Sequence, residues 1–393
     1  MASGNDRLSE LTDDLLRRVL HFAPLKEAAS TTALSRRWHT PLYLSSGAVN
    51  LETGTGVQKY YHSSRHDDSS RFFSQRDAFD SAAAGALDAA DVPVTKLTLH
   101  LGSDLHEPEL WLDDKVPDHH SYNWVGLYTV TINSLPLETL RVLEITNCKG
   151  ILFNRSAVVL PRLFSLRLSH CVQHRSCLQG VIDAAPALAA IHLDSVIINA
   201  SDPPPRPEEA GTCRLRCPAG SVITLDSCTW EEEKQGRGDP SWPCGYRNVS
   251  IDVDGVEIDA VRLRRFRYKG PLRSFSFSPR PLELEHVDLH FFGRRNIENN
   301  KGRNHDLDTF WRFARNFTSM KVMRLRVNHL EDIAVQSEAR RVELLTVFHR
   351  LERLEFQGVQ CMKDKTATDT TVMNLLRCCP VLHSPYPPDQ PHQ

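Results

Sequence analysis

The chain has 393 residues, of which 40% are hydrophobic and 24% charged, and its formal net charge is −2. This length exceeds one small domain, and the composition is that of a globular protein rather than a disordered or membrane-embedded one. The near-neutral charge argues against a general affinity for nucleic acid or an anionic membrane. No apolar run approaches the roughly 20 residues of a membrane span. With no signal-peptide pattern at the N-terminus, we expect an intracellular protein, in the cytoplasm, the nucleus or both, with reduced cysteines.

A short helical segment opens the chain. Thr12 is a suitable N-cap, and Asp13 and Asp14 follow in the first turn, where carboxylates favour the helix dipole. An apolar stripe then recurs at helical spacing: Leu15, Leu16, Val19 and Leu20. Further short helices are predicted around 25–29 and 30–38. The segment is either a helical cap on the following domain or a docking module that lends its apolar stripe to a partner helix.

The order of residue blocks in this segment resembles the plant-type F-box. The blocks are DRLS at 6–9, Leu11, DDLL at 13–16, VL at 19–20, AA at 28–29 and LSRRW at 34–38. The resemblance covers about residues 6–44 and implies binding to a Skp-family adaptor and, through it, to a cullin. The adaptor-binding residues that it implies are Leu8, Leu11, Thr12, Leu15, Leu16, Val19, Leu20, Leu34 and Trp38. We expect the apolar stripe to be poorly covered by the rest of the chain, because the adaptor would cover it.

Two departures from the F-box pattern leave a second hypothesis open. Thr12 stands where the family usually has proline, and Pro41-Leu42 stands where many relatives have Leu-Trp. Thr12 can still begin a helix, so we expect adaptor contact to be weakened rather than abolished. The second hypothesis is a repeat-scaffold binding protein whose degenerate N-terminal motif engages no ligase.

The next part of the chain is predicted to be a linker followed by regular structure. Residues 45–77 are rich in Ser, His, Asp and Gly, and 79–90 is an alanine-rich helix. Residues 94–101 alternate apolar and polar side chains and predict a strand.

From that strand onwards one unit recurs. Leu140 to Cys148 has the form LxxLxLxxC, and Leu163 to Cys171 repeats it 23 residues later, counted from Leu143 to Leu166. Further copies begin at Leu188, Met320 and Leu351, with weaker ones around 223–228 and 249–251. This pattern resembles the irregular leucine-rich repeat arrays joined to F-boxes in plants, whose repeats span about 20–29 residues. The fold expected overall is α+β: a short all-α F-box module followed by an irregular α/β leucine-rich-repeat solenoid.

The repeat pattern also predicts where individual side chains lie. A small side chain should enter the loop three positions after the second leucine: Cys148, Cys171, Val196, Cys228, Asn328 and Val359. The residue between the two apolar strand positions should face away from the core. We expect this face to bind a protein substrate, with the candidate residues Glu144, Arg167, His192, Arg267, Arg324 and Glu355, and with Thr224 and Ser250 at equivalent positions.

Segments between the strands are predicted as helices or loops. Helical periodicity appears at 177–185, 306–316, 340–349 and 371–379, and loops at 199–211, 231–243 and 293–305. The C-terminal cover of the array is predicted to be Val372, Leu375, Leu376, Val381 and Leu382. The domain boundaries that follow are 1–50 for the F-box module, 51–91 for a linker with a short helix, 92–383 for the repeats and 384–393 for a proline-rich tail.

The sequence shows no pattern typical of an active site or a metal site. Cys213 and Cys217 lack a paired CxxC or HxxxH partner, and there is no phosphate-binding glycine loop. We therefore expect no cofactor, no metal and no catalytic residue. A basic cluster at 262–270 places Arg265, Arg267 and Lys269 on one strand face, which is either a solvated face or a site for an acidic, phosphorylated or nucleic-acid ligand.

Together these features predict a non-catalytic subunit of a cullin-type ubiquitin ligase. The F-box would bind a Skp-family adaptor, and the repeats would bind a protein substrate for ubiquitination.

Overall fold

The computed structural model describes residues 10–33, 45–53, 79–101, 128–132, 135–152, 158–199, 212–235, 248–252, 255–292, 300–329, 333–359 and 365–383. The chain folds into two compact units. The first comprises Met1–Gln173 with Ala184–Ala187, and the second comprises His174–Asp183 with Leu188–Gln393.

The first unit begins with helices and continues as a parallel sheet. Its helices are α1 (Asp13–Leu20), α2 (Leu25–Ser30) and α3 (79–88), with a 3-10 turn at Thr31–Ala33. Its strands are β1 (Ala48–Glu52), β2 (Lys96–His100), β3 (Tyr128–Thr131), β4 (Val142–Thr146), β5 (Cys148–Leu152) and β6 (Ser165–Ser169). The main sheet has the order β1-β2-β4-β6 with every pair parallel, and β3 pairs with β5 separately.

The second unit contains a longer parallel sheet. Near the unit boundary lie β7 (Val172–His174) and α4 (Arg175–Ala184). The strands that follow are β8 (Ala190–Asp194), β9 (Ile197–Asn199), β10 (Thr212–Arg216), β11 (Val222–Asp226), β12 (Thr229–Gln235), β13 (Asn248–Asp252), β14 (Gly255–Asp259), β15 (Arg265–Gly270), β16 (Ser274–Phe277), β17 (His286–Phe291), β18 (Val322–His329) and β19 (Arg353–Val359). The remaining helices are α5 (Asn300–Ala314), α6 (Glu338–Leu344) and α7 (Lys365–Arg377), with 3-10 turns at Arg315–Phe317 and Pro380–His383. The main sheet runs β8-β11-β15-β17-β18-β19, all parallel.

These elements confirm the mixed α/β class with parallel strands. The solenoid arrangement and the F-box module stay predictions, as do the domain boundaries. Two further small sheets accompany the main sheet of the second unit: β10-β14-β16, and β9 with β12 and β13.

Strands of the main sheets share one local plan. Two alternate side chains are buried, such as Leu143 and Ile145 in β4, and the residue between them faces outwards. A further buried residue lies three positions before the first of these: Val94, Leu140, Leu163, Leu188, Leu263, Leu284, Met320 and Leu351. Gly220 takes this place before β11, where an added Cβ would come within 3.0 Å of the Cys217 carbonyl oxygen. Each strand therefore enters the core through a tight, buried turn.

A second tight turn follows the strand in four repeats. Asn147, His170, Ser195 and Ser227 have positive φ, between 52° and 61°. This backbone conformation is uncommon outside glycine and costs free energy. Three of these turns are held by a backbone N–H that donates to a carbonyl at the C-terminal end of the next main-sheet strand: Asn147 to Ser169 at 2.9 Å, Ser195 to Asp226 at 2.7 Å and Ser227 to Lys269 at 2.6 Å.

The residue after each positive-φ turn is small and buried, as predicted for Cys148, Cys171, Val196 and Cys228. The Cys171 thiol donates to the Ser169 carbonyl at 3.2 Å. The prediction is wrong for Asn328, which is exposed, because β18 continues to His329 instead of turning after Leu325. The side chain of Val359 lies outside the described residues.

Aromatic rings fill the core beneath β15. They come from β15, β16, β17, α5 and the turn after it: Phe266, Tyr268, Phe275, Phe277, Phe291, Phe310, Phe313 and Phe317. Phe266 meets Phe277 edge-to-face with centroids 5.2 Å apart. The Tyr268 hydroxyl donates to the Pro271 carbonyl at 2.6 Å, so this buried phenol is satisfied. The inward side chains of β15 are thus fixed, which limits how far its outward side chains can move.

The chain between 244 and 292 contributes two strands to the main sheet, β15 and β17. The weak copy at 249–251 is wrong, because β13 pairs antiparallel with β12 and Ser250 therefore lies outside the main sheet. The true repeats are β15, with Phe266 and Tyr268 buried, and β17, with Val287 and Leu289 buried.

Three segments whose predicted boundaries or loops differ from the structure contain a strand or part of a helix. Residues 48–52, assigned to the end of the F-box module and the start of the linker, form β1, which pairs with β2. The polar run at 231–235 belongs to β12 rather than to a loop, because β13 pairs with it. The loop predicted at 293–305 already becomes α5 at Asn300.

Helix α7 buries Leu375, as predicted, together with residues that the prediction did not name. Thr371, Asn374, Leu375 and Cys378 are buried, whereas Val372 is exposed. The Asn374 amide donates to the Val335 carbonyl at 3.1 Å, so a polar side chain supplies part of the packing. Leu376 and Val381 are half-buried, and the Leu382 side chain lies outside the described residues.

We expect two α7 variants to differ sharply in stability. Leu375→Ala should cost about 2–5 kcal/mol of unfolding free energy, because it leaves a cavity in a packed site. Val372→Ala should cost less than about 1 kcal/mol, because that side chain is 38% exposed and its truncation leaves no enclosed cavity. Urea denaturation followed by circular dichroism measures both, and equal losses would show that α7 does not pack as described.

Thiol reactivity offers a second check on the repeats. Burial raises the pKa of Cys228 to about 12 and that of Cys217 to about 12. Both should resist alkylation by iodoacetamide at about pH 8 in the native protein, because the thiolate is the nucleophile. Among the eight cysteines in the described ranges, Cys177 is only half-buried and should be labelled first. Peptide mass spectrometry reads the sites, and rapid native labelling of Cys228 would contradict its buried loop position.

Candidate functional site

Helix α1 buries one apolar row and exposes another. Leu16 and Leu20, which are 0% and 5% exposed, pack with Ala28, and Leu11 and Ala23 lie against them. Leu15 and Val19 are 47% and 55% exposed, and Phe22 in the following turn is 71% exposed. Leu15, Val19 and Phe22 form what we call the exposed stripe. Its spacing of four and three residues places these side chains on one side of α1 and its C-terminal turn.

The prediction that all four apolar residues of α1 would be uncovered is therefore wrong for Leu16 and Leu20. Helix α2 is close enough to cover them, because only a short turn separates it from α1. The sequence pattern could not separate the two rows, since both have helical spacing. Phe22 was missed as a candidate because it lies beyond the end of the helix.

The start of α1 also differs from expectation. Thr12 occupies the N-cap position with extended backbone, and its carbonyl accepts the Leu16 N–H at 3.0 Å. Its side chain makes no capping hydrogen bond to the helix. Asp14 instead pairs with Arg17 at 2.9 Å on the solvent side. The predicted adaptor-binding residues Leu8, Leu34 and Trp38 lie outside the described residues.

Hydrogen bonds tie the two N-terminal helices to the first strand. The Asn50 amide, at the centre of β1, donates to the carbonyls of His21 and Ala23 at 2.8 and 3.1 Å. The Arg17 guanidinium donates to the Ser45 hydroxyl at 3.1 Å. These bonds are made by residues of two separate chain segments, so they fix the orientation of the helices relative to β1.

The outward strand face of the first unit carries paired charges. Glu144 accepts a hydrogen bond from Thr98 at 3.3 Å and pairs with Lys96 at 3.4 Å. Arg167 is the direct neighbour of Glu144 on β6 and is exposed. An open cavity of about 300 Å³ lies between Phe22 and this face, with Glu144 in its lining. Two predicted substrate-binding residues, Glu144 and Arg167, thus lie side by side.

In the second unit the predicted residues align in one row across the sheet. Strand register places them in the order His192, Thr224, Arg267, Asp288, Arg324 and Glu355. Four of these, His192, Arg267, Arg324 and Glu355, were predicted as substrate-binding residues. Asp288 was missed because β17 was not recognised, although Leu284, Val287 and Leu289 carry the repeat spacing.

A second row lies two residues further along the same strands. Its members are Asp194, Asp226, Lys269, His290, Arg326 and Gln357. With the first row it makes the outward face of β15, β17 and β18 rich in cations. We call the side chains of Arg265, Arg267, Lys269, Arg324 and Arg326 the basic face. It extends the cluster predicted on β15 alone, because β18 brings in two further arginines.

Several cations of the basic face are neutralised within the protein. Arg324 pairs with Glu355 at 2.7 Å, and Lys269 pairs with Asp226 at 3.1 Å. Arg267 lies 3.7 Å from Asp226 and 3.9 Å from Asp288, so its guanidinium is shared between two carboxylates. In the described part of the chain, Arg265 and Arg326 have no carboxylate within ion-pair distance.

His290 lies between two of these cations. It is flanked in register by Lys269 on β15 and Arg326 on β18. Burial and these two positive charges lower its pKa, while Asp226 and Asp288 oppose the shift. This shift favours the neutral imidazole, which carries one N–H donor and one acceptor nitrogen.

Within the described residues, no group of three or more His, Cys, Asp or Glu side chains is arranged to hold a metal ion. None of the helices in these ranges is long and apolar enough to cross a membrane.

Comparison with known proteins relates the chain to plant F-box proteins. No family model matches it. It is 24% identical over 216 residues to an F-box/LRR-repeat protein of Arabidopsis thaliana, which is 50% of this chain and 51% of that protein. It is 49% identical over 47 residues to an FBD-associated F-box protein of the same species, which is 12% of this chain and 25% of that protein. The chain thus spans about half the length of the first relative and about a quarter of the second.

Because Leu16 is buried and Leu15 is exposed, we expect substitutions at these adjacent positions to differ strongly in how much stability they cost. Leu16→Ala should destabilise the helix pair by about 2–5 kcal/mol, because the side chain is fully enclosed. Leu15→Ala should cost less than about 0.5 kcal/mol. Native-state hydrogen exchange across residues 13–30 measures this local stability, and a larger loss for Leu15→Ala would reverse the assignment of the two rows.

Proposed function

We propose that this chain is a substrate-recognition subunit of a cullin-type ubiquitin ligase. In this proposal the N-terminal F-box module binds a Skp-family adaptor, and an array of leucine-rich repeats binds a protein substrate. The names of both relatives include F-box, and one includes LRR-repeat. Their limited coverage leaves the adaptor, the cullin and the substrate as proposals for this chain.

The observation that carries the proposal is the exposed stripe on α1. A helix that already buries Leu16 and Leu20 has satisfied its own need for packing. Leu15, Val19 and Phe22 nevertheless remain exposed on the neighbouring row. Apolar side chains left together on one side of a helix are typical of a docking surface for a partner helix.

The attachment of the helices to β1 suits this role. Asn50 joins β1 to the turn between α1 and α2 through two hydrogen bonds. A partner bound at the exposed stripe would therefore have a fixed orientation relative to the first strands. We propose that catalysis is by proximity, with the substrate held near an enzyme supplied elsewhere in the complex, and that the chain itself is non-catalytic. We also propose an intracellular location, in the cytoplasm, the nucleus or both.

A second candidate function is a repeat-scaffold protein that engages no ligase. It is favoured by Thr12, which stands where the family usually has proline. A capping hydrogen bond from the Thr12 side chain to α1 would have offset the loss of that proline, but the side chain makes none. The two functions differ in one measurable property, which is binding to a Skp-family adaptor.

The test is co-purification of the full chain with a Skp-family adaptor. The double variant Leu15→Asp/Val19→Asp should weaken adaptor binding by at least about tenfold, because it places charge in the apolar contact. Both positions are exposed, so the protein should remain folded. Leu16 and Leu20 are unsuitable for this test, because charge there would disrupt the buried core of the helix pair.

Val342→Asp provides the matched control. Val342 is 82% exposed on α6, in the second unit, and has no place in the proposed contact. It should leave adaptor binding unchanged. Failure of the unmodified chain to bind any Skp-family adaptor would favour the scaffold function, and binding that survives the double variant would place the adaptor contact elsewhere.

A further inference from the structure

We infer that the side of β19 that does not face β18, which we call the open edge, binds an extended segment of a partner protein. The segment would add to the sheet as one further parallel strand, with an acidic residue followed by two apolar residues at alternate positions. The inference goes beyond the proposed function, because it concerns a backbone edge of the second unit and requires no ligase.

Strand β19 lies at the end of the main sheet. In the described part of the chain it pairs with β18 alone. The Arg353 N–H donates to the Lys321 carbonyl at 3.1 Å, so the backbone groups of Arg353 face β18. Because these groups alternate in direction along a parallel strand, the N–H and C=O groups of Leu354, Phe356 and Gly358 face away from β18. The open edge is therefore a row of donors and acceptors for another strand.

A backbone contact that recurs just before the strands shows how a neighbour is held. One carbonyl accepts N–H groups from two successive residues of the next repeat. The Lys321 carbonyl accepts from Glu352 at 2.8 Å and from Arg353 at 3.1 Å. The Glu285 carbonyl accepts from Lys321 at 3.0 Å and from Val322 at 2.9 Å. In the second unit the same contact is made by the carbonyls of Ala189, Ser221 and Arg264.

Glu352 holds the corresponding position before β19. Within the described ranges no backbone N–H donates to its carbonyl. A parallel strand beside β19 would supply the two donors. A helix would not, because its own N–H groups are bonded within it. A twofold contact between two copies would pair β19 with itself antiparallel, so it would not reproduce this arrangement.

The inward side chains of β19 are incompletely covered. Leu354 and Phe356 are half-buried. The equivalent pairs on the other main-sheet strands of the second unit, such as Met323 and Leu325 on β18, are fully buried. A strand added at the open edge would place alternate side chains next to Leu354 and Phe356. The segment therefore needs two apolar residues separated by one other residue.

The outward residues of β19 select the charge of the segment. The Glu355 carboxylate lies 2.7 Å from Arg324 and 2.6 Å from Arg353, so two guanidinium groups share it. These three side chains together carry one excess positive charge. The Arg353 side chain is 66% exposed and lies on the outermost strand. An acidic residue in register with Arg353 would balance the excess charge, whereas a basic residue there would be repelled.

The experiment uses the full chain and two libraries of short synthetic peptides. Both contain the sequence Φ-Thr-Φ, in which Φ is Leu, Ile, Val or Phe, between flanks of Ser and Gly. The residue just before this sequence is Asp in one library and Lys in the other. Binding is measured by fluorescence anisotropy. We expect the Asp library to bind about three- to tenfold more tightly, which is the range expected for gaining an exposed ion pair and avoiding a like-charge contact. Equal binding of the two libraries would contradict the charge selection.

Methylation of the peptide backbone tests the hydrogen bonds directly. N-methylation of the central Thr replaces an N–H that would face β19, and it should weaken binding at least about tenfold. N-methylation of the second apolar residue is the matched control, because that N–H would face away from β19. Its effect should be less than about threefold. Equal losses would overturn the inference, because they would show that no ladder of backbone hydrogen bonds forms.

A charge reversal locates the contact. Arg353→Glu should reverse the preference, so that the Lys library binds more tightly than the Asp library. Arg312→Glu makes the same change of charge at an exposed arginine on α5 and should leave the preference unchanged. Circular dichroism checks that both variants are folded. An unchanged preference in Arg353→Glu, or a reversal in both variants, would exclude β19 as the binding site.

Hydrogen exchange gives a readout that needs no variant. In the free chain the N–H groups of Leu354 and Phe356 should exchange faster than those of Glu355 and Gln357, and bound peptide should slow the first pair. Mass spectrometry with electron-transfer fragmentation resolves these positions. Protection of Leu354 and Phe356 in the free chain would show that another segment or a second copy already occupies the edge, which would refute the inference. Adaptor co-purification does not involve β19, so the proposed function is tested independently.

Discussion

In-register parallel pairing of short strands is the constraint on which the other features depend. Most main-sheet strands bury two alternate side chains and a third just before them, so successive strands can pair only with these positions aligned. A shift by one residue would turn Phe266 and Tyr268 outwards and place Arg265 and Arg267 in the core, which would be prohibitively costly. The rows of outward residues are a direct consequence of this alignment.

The outward rows contribute little to the stability of the fold. Exposed ion pairs usually contribute less than about 1 kcal/mol each, so pairs such as Arg324 with Glu355 are a minor part of folding. These ion pairs mainly change the electrostatic potential at the protein surface. They cancel charge over most of the second unit and leave Arg326, beside His290, without a carboxylate partner in the described part of the chain.

Helix α1 reflects a similar division between core and surface. Leu16 and Leu20 satisfy the packing of a small helix pair, while Leu15 and Val19 remain outside it. A pair this small has little core of its own, and the hydrogen bonds from Asn50 compensate by attaching it to β1. Covering Leu15 and Val19 would require no refolding of the helix pair, because these side chains lie outside its core.

The sequence by itself determined the mixed α/β class of the fold and most strands of its main sheets. The spacing of Leu140, Leu143 and Ile145, and its recurrence, was sufficient because alternation and buried turns leave a clear apolar pattern. The same spacing placed Arg267 and Arg324 on the outward face. It also indicated α1 and α2, whose apolar residues have helical periodicity.

Only the tertiary structure decided which apolar residues are covered and which charges are paired. Leu15 and Leu16 have the same hydrophobicity and similar helical environments, and their burial differs only because α2 lies on one side of α1. Ser250 has the alternation of a repeat residue, yet β13 pairs with β12 and leaves the main sheet. Lys269, His290 and Arg326 are distant in sequence and become neighbours because β15, β17 and β18 are adjacent in the sheet. The order of strands in a sheet cannot be read from the residue pattern of the individual strands.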